Sequence, residues 1–281
     1  MNKQELVKAQ PKFSVAIQSD AYKNLINNTL GDKDKAQRFI AAISSAVAVN
    51  PTLQECEAGT ILSGALLGES LNLSPSPQLG HYYLVPFNDS KKGYKVAQFQ
   101  MGWKGYYQLA LRSGYYKKIV CLPIKKGELI YWNELEEEID VKLIEDEEIR
   151  EKTETIGYYA YYEYLTGFRK AMYWSKKKME LHAKRYSQAY KNDLTKGTKY
   201  SFWTVDFDGM AQKTMLRQLI SKFGIMSTEL QEAYNKDMAT IETNGNYEFV
   251  DNEEPTEPEL KPDSPEPEKP QPETQVDINS L

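Results

Sequence analysis

Cysteine and histidine are nearly absent from the 281-residue chain, which has Cys56, Cys121, His81 and His182 and no others. Two cysteines cannot build a disulfide framework, and so small a pool leaves no His/Cys cluster of the kind that holds zinc. Long apolar runs are missing as well. No stretch approaches the roughly 18 uncharged apolar residues of a membrane span, and Met1-Asn2-Lys3-Gln4-Glu5 lacks a signal-peptide core. A soluble, cytoplasmic protein without a membrane partner is expected. There is no GxxxxGK[ST] run and no GxGxxG after a strand, so no nucleotide cradle is visible. Neither histidine sits beside a Ser or Cys in a nucleophile setting; both read as structural, although His81 could donate to a phosphate. No catalytic residue, metal or cofactor is expected.

What is present is 41% apolar residues, enough for a core, and an uneven charge. The net charge of -5 conceals a division. Residues 251–281 hold ten acids against Lys261 and Lys269, and residues 134–154 hold eleven acids against Lys142, Arg150 and Lys152. The remaining body has 30 bases and 19 acids, a surplus able to attract a polyanion. The acidic end also carries seven of the thirteen prolines and little to bury. It is expected to be a disordered tail over 241–281, either a solubiliser, a screen for the basic body or a docking site for another protein, with Val276 to Leu281 as the most apolar docking peptide.

Phe39, Ile40, Ile43, Ala46 and Val47 recur at helical spacing, and Asn50-Pro51 ends that helix. Thr52-Leu53-Gln54-Glu55 fits a capping box for a second helix through Leu71, in which Gly64 and Gly68 allow a close neighbour; together they predict a helical hairpin. The period then shifts to two. Tyr83–Phe87 and Tyr94–Gln100 predict a β-hairpin with a basic tip, and a short helix follows from Trp103 to Leu111 with Gly114 as its C-terminal glycine. Strands are expected at 118–124, 128–132, 139–144, 156–165 and 168–174, and helices at about 176–191 and 208–223. That order argues for an α+β fold, an antiparallel meander of hairpins flanked by helices.

Residues 90–127 contain nine bases and no acid, interleaved with seven aromatics. Cations that track phosphates beside rings on which bases stack are what sequence-tolerant single-strand binding requires. Lys91, Lys92, Lys104, Arg112, Lys117 and Lys118 are candidate backbone contacts there, and Tyr94, Trp103, Tyr106 and Tyr107 candidate stacking rings. A second basic block, 169–222, adds Lys176, Lys177, Lys178, Arg185, Lys191, Lys213 and Arg217. Met215, Leu216, Leu219, Ile220 and Phe223 read as the buried stripe of the last helix, leaving Lys213 and Arg217 one turn apart on another face, about 6 Å along the axis. Asp206 and Asp208 could hold magnesium for a nuclease, but their place before an apolar helix favours capping. The acidic stretch 134–154 reads as a solvated hairpin.

Four segments resemble the phage RecT family of single-strand annealing proteins: Leu66 to Pro75, Leu79 to Phe87, Gln98 to Gly114, and Trp203 to Phe223. They cover most of residues 60–225. The resemblance implies an oligomer that coats single-stranded DNA and pairs it with a complementary strand without ATP, beside a 5′→3′ exonuclease partner. Annealing needs no enzymatic step, which sets it apart from a magnesium-dependent nuclease; composition alone does not separate it from a passive coating protein, and the resemblance does. Lys104 and Arg112 fall in the third segment, Lys213 and Arg217 in the fourth. On this reading residues 1–32 are an N-terminal arm and oligomerisation segment, 33–240 the annealing core and 241–281 the tail. The tail after 250 matches no pattern of that family.

Overall fold

The structure, a computed structural model, describes residues 11–89 and 91–249. It opens with helices α1 (Phe13–Ala16), α2 (Asp20–Leu30) and α3 (Lys33–Val49), then a 3-10 turn at Pro51–Glu55 and α4 (Ala58–Ser70). Asp32 caps α3 by accepting from the Lys35 amide at 2.7 Å. The capping box expected at Thr52 does not form. Glu57 donates its amide to the Lys95 carbonyl at 2.8 Å, which holds residues 56 and 57 extended beside the next hairpin and delays α4 to Ala58. The expected helical hairpin is accordingly divided: α3 packs with α2 and the turn, whereas α4 lies on a sheet.

That sheet contains β1 (Tyr82–Asp89) and β2 (Tyr94–Met101), paired antiparallel from Tyr82↔Met101 to Asp89↔Tyr94, as the alternation predicts. Two late strands, β8 (Ala239–Ile241) and β9 (Tyr247–Glu248), complete the order β1-β2-β8-β9. The described chain thus continues in strand past residue 240; residues 1–10 and the Pro-rich segment from 250 lie outside the described residues. The glycines of α4 do what their spacing suggests. A Cβ at Gly68 would sit 2.3 Å from the Tyr82 ring and one at Gly64 2.7 Å from Leu84, so only glycine lets β1 close on this helix.

Helix α5 (Trp103–Arg112) links this sheet to a second, built from β3 (Tyr116–Lys125), β6 (Thr155–Tyr164) and β7 (Arg169–Ser175) in the order β3-β6-β7. Gly114 takes a φ of +76° just after α5, as a C-terminal glycine should. Between β3 and β6 stand the hairpin β4 (Leu129–Asn133) and β5 (Glu138–Val141) and the short helix α6 (Glu147–Lys152). This acidic excursion is less solvated than expected. Arg150 reaches the fully buried Glu128 carboxylate at 2.6 Å, and Glu137 accepts from Lys170 and from the Ala171 amide.

The helix expected over 176–191 is two, α7 (Lys176–Tyr186) and α8 (Gln188–Lys196). Ser187 breaks it by adopting an extended conformation and capping α8 through the Tyr190 amide at 3.2 Å. A single turn, α9 (Phe202–Val205), leads to α10 (Phe207–Phe223), followed by α11 (Thr228–Lys236). Helix α10 packs across the three-stranded sheet and against α5. Tyr158 and Tyr162 of the sheet and Met215, Leu216 and Ile220 of the helix are all buried in one continuous core.

Candidate nucleic-acid interface

The start of α5 and the chain before β1 are pressed together through glycine. Gly102 donates its amide to the His81 carbonyl at 2.8 Å. A Cβ at Gly102 would lie 2.1 Å from the Gly80 oxygen, and one at Gly105 2.1 Å from the His81 oxygen. Beside this seam opens a groove of about 620 Å³, lined by Leu79, His81, Trp103, Lys104, Tyr107 and, from the edge of the second sheet, Val120 among others. Trp103 and Tyr107 are one helical turn apart and half-buried, so their rings are anchored yet still accessible. Lys104 is exposed between them, its ammonium 5.8 Å from the Trp103 ring centre. His81 accepts from the Ser74 amide through Nδ1 at 3.2 Å. Burial, with Arg112 and Lys104 nearby, depresses its pKa below the ordinary histidine value. The groove therefore combines two flat rings with one exposed cation.

Other expected contacts surround it. Arg112 is exposed and donates to the Leu71 and Asn72 carbonyls at 2.8 and 3.2 Å, at the rim of a smaller hollow of about 230 Å³. On β3, Lys118 is exposed and Lys117 pairs with Glu163 at 2.7 Å. At the hairpin tip Lys91 is exposed, whereas Lys92 is engaged by Glu242 and Glu248 at 2.9 and 3.4 Å; Tyr94, half-buried there, does not line the groove. The second basic block presents Lys177, Lys178, Arg185 and Lys191 to solvent on α7 and α8, with Lys176 half-buried 3.9 Å from Glu154. Lys178 lies over Trp174 at 4.9 Å and Arg185 over Tyr186 at 5.4 Å.

Two expected site residues, Lys213 and Tyr106, are inside the fold instead, and a third, Arg217, is half-buried against them. Lys213 is 6% exposed, its ammonium 3.0 Å from Asp237 Oδ1. Arg217 Nε stands 3.6 Å from Asp237 Oδ2, with its guanidinium 4.3 Å from the Tyr234 ring centre. Tyr106 is buried and donates its hydroxyl to Asp237 Oδ2 at 3.0 Å. Lys213 and Arg217 are thus not a solvent-facing pair, and Tyr106 offers no face to a base. They converge on a buried carboxylate that also accepts from the Met101 amide at 2.9 Å, immediately before α5. Asp237 was not foreseen. A lone acid in the polar stretch 235–238 carries no local sign of burial.

Asp206 accepts from the Gly209 amide at 2.9 Å as the N-cap of α10, the role its position predicts. Asp208 accepts from the Tyr158 hydroxyl at 2.6 Å and Thr155 at 3.1 Å. Among the described residues no group of three or more His, Cys, Asp or Glu side chains could hold a metal ion, and no helix is long and apolar enough to cross a membrane. Burial pushes both thiols up to about 12, so neither is a ready nucleophile.

Comparison with known proteins gives this geometry its context. Residues 37–254 match the RecT family, a span that includes the groove, the Asp237 cluster and both sheets. The chain is 41% identical over 208 residues to the uncharacterized protein YqaK of Bacillus subtilis strain 168, covering 74% of this chain and 66% of that one. It is 27% identical over 230 residues to protein RecT of Escherichia coli K12, covering 78% and 81%. It thus spans about two thirds of the Bacillus protein's length.

Proposed function

Because the chain belongs to the RecT family, we propose that it binds single-stranded DNA and anneals it to a complementary strand in homologous recombination. The observation that carries the reading is the groove, which Trp103 and Tyr107 line with half-buried rings beside the exposed Lys104. Bases stacked there stay ordered while the backbone meets the surrounding cations Lys118 and Arg112. Neutralising phosphates lowers the repulsion between two strands and releases counterions. Holding the first strand extended reduces the ordering cost when the second arrives. Neither effect requires nucleotide hydrolysis or a catalytic group, so the action is ATP-independent and the protein is not an enzyme.

On this reading, protomers assemble side by side so that one groove continues into the next, with residues 1–32 contributing to that assembly. A 5′→3′ exonuclease supplies the single strand, and a partner docks on the acidic tail. The setting is phage recombination in the bacterial cytoplasm. Lys91, Lys177, Lys178, Arg185 and Lys191 give a wider basic surface for backbone contact.

The deciding experiment mixes two dye-labelled complementary oligonucleotides with the protein, without nucleotide, beside a non-complementary pair and a gel for strand length. Fast pairing of intact complementary strands is the expected result. Binding without accelerated pairing would reduce the protein to a coating protein, and shortened strands would make it a nuclease.

A further inference from the structure

The groove leads onto a second aromatic surface. Strand β3 is the edge of the three-stranded sheet, and Val120, which lines the groove, is paired across to Tyr161 on β6. The next pair on that face is Leu122 with Tyr159. Cross-strand partners share a face, so these four residues form one strip. All four are half-buried. Their alternates on β6, Tyr158, Ala160, Tyr162 and Tyr164, are buried on the opposite face, which packs against α10 and its neighbours. The core therefore accounts for one set of tyrosines and leaves the other showing.

This half-buried set is ordered. The Tyr159 and Tyr161 rings lie 13° from parallel with centres 6.4 Å apart. Trp132 stands edge-on to Tyr159 at 6.3 Å and walls one end, and the Tyr161 hydroxyl is held by Glu163 at 3.1 Å. Lys117, Lys118 and Arg169 are exposed around the other end, with Glu163 the acid among them. Parallel rings with a surplus of cations at one end match a strand that has both flat bases and phosphates; Glu163 is already engaged by Lys117, and a purely apolar partner would leave Lys118 and Arg169 without a further counter-charge.

We infer that Tyr159 and Tyr161 form a second base-stacking site for single-stranded DNA, reached from the groove across Val120, with Lys118 and Arg169 on the backbone. The inference rests on the reading that the groove holds single-stranded DNA. It is tested by comparing the affinity of the full chain for oligo-dT with that for an equally long abasic oligonucleotide at one salt concentration. Tyr159→Ala and Tyr161→Ala are expected to weaken oligo-dT binding about fivefold to a hundredfold and abasic binding less than about twofold, while Tyr161→Phe binds as wild type. Equal losses on both probes, or no loss on oligo-dT, overturn the site while leaving the groove intact as a reading. Wild-type chain that ignores oligo-dT overturns both. Should an alanine variant fail to fold, irradiating wild-type chain bound to an iododeoxyuridine-substituted oligonucleotide decides: attachment to the peptide spanning Tyr159 and Tyr161 supports the site, and attachment confined to Trp103 and Tyr107 overturns it.

Discussion

Lys213 and Asp237 meet at 3.0 Å with both side chains almost wholly buried, 24 residues apart in the chain. The pair ties α10 to the segment entering β8. Asp237 also accepts from Met101 and Tyr106, so the same carboxylate fixes both the entry and the first turns of α5. Burial pulls the Lys213 pKa down, against the opposing pull of Asp237. This cluster positions the groove without lining it.

Asp237→Ala leaves the buried Lys213 and the half-buried Arg217 without their carboxylate and is expected to cost about 3–5 kcal/mol in urea unfolding. Lys213→Ala should cost less, because Arg217 remains 3.6 Å from the carboxylate. The slope of log affinity against log salt should be unchanged in folded Lys213→Ala; a slope shallower by about 0.7 would place the lysine at a phosphate after all.

Trp103→Ala is expected to lose about 1–3 kcal/mol of affinity for single-stranded DNA. Its fold should survive, since the ring is only half-buried. Lys104→Ala should weaken binding evenly across sequences and reduce the salt slope by about one phosphate. Titrations of a labelled strand at four salt concentrations separate these two signatures.

Gly105→Ala puts a methyl group 2.1 Å from the His81 carbonyl oxygen, a backbone atom that cannot swing aside. The seam between α5 and the chain before β1 must open, at an expected cost of about 2 kcal/mol or more. Single-strand affinity should fall with it. Wild-type stability for this variant in thermal unfolding would show that the seam is slack.

His182 lies against Trp174 and Tyr186, ring centres 5.4 and 4.6 Å away. Burial first, then Arg217, Lys222 and Arg185, lowers its pKa to about 4. Between the ordinary value near 6.5 and about 4, the unfolded chain takes up a proton that the folded chain refuses, so stability falls as pH falls through that window. About 1–3 kcal/mol should disappear from this group between pH 7.5 and pH 4. His182→Phe should flatten that part of the curve in paired urea titrations, and an unchanged curve would assign the acid sensitivity to carboxylates.

Local pattern carried the elements whose partners are near in sequence. The β1–β2 hairpin, α5 with Gly114, the β6–β7 pair and the Asp206 cap follow from alternation, glycine placement and capping chemistry within a few residues. The groove was half legible, because Trp103, Lys104 and Tyr107 stand in a basic, aromatic stretch whose helical phase puts them together. Lys213 was not. Its helix is covered on several sides, by the second sheet, by α5 and by the approach to β8, and a periodicity argument assumes a single buried stripe. Phe223 errs in the opposite direction: it is exposed, its ring receiving Lys170 at 4.2 Å and its carbonyl accepting from the Tyr162 hydroxyl. Thr52 misled for a related reason, and Ser187, inside the expected 176–191 helix, was passed over. Each has the chemistry of a cap, and only the tertiary path decides whether a helix starts, waits or breaks there.

Strand β8 pairs with β2 through Gln98↔Thr240 and Phe99↔Ala239. A contact so distant along the chain forms late, since closing such a loop costs entropy before any hydrogen bond repays it. During synthesis the first hairpin and α5 leave the ribosome long before the segment that carries Asp237 and β8. The nascent chain can therefore hold its aromatic and basic residues in the open without yet arranging them, and the carboxylate that fixes the entry to α5 joins them only once β8 has docked.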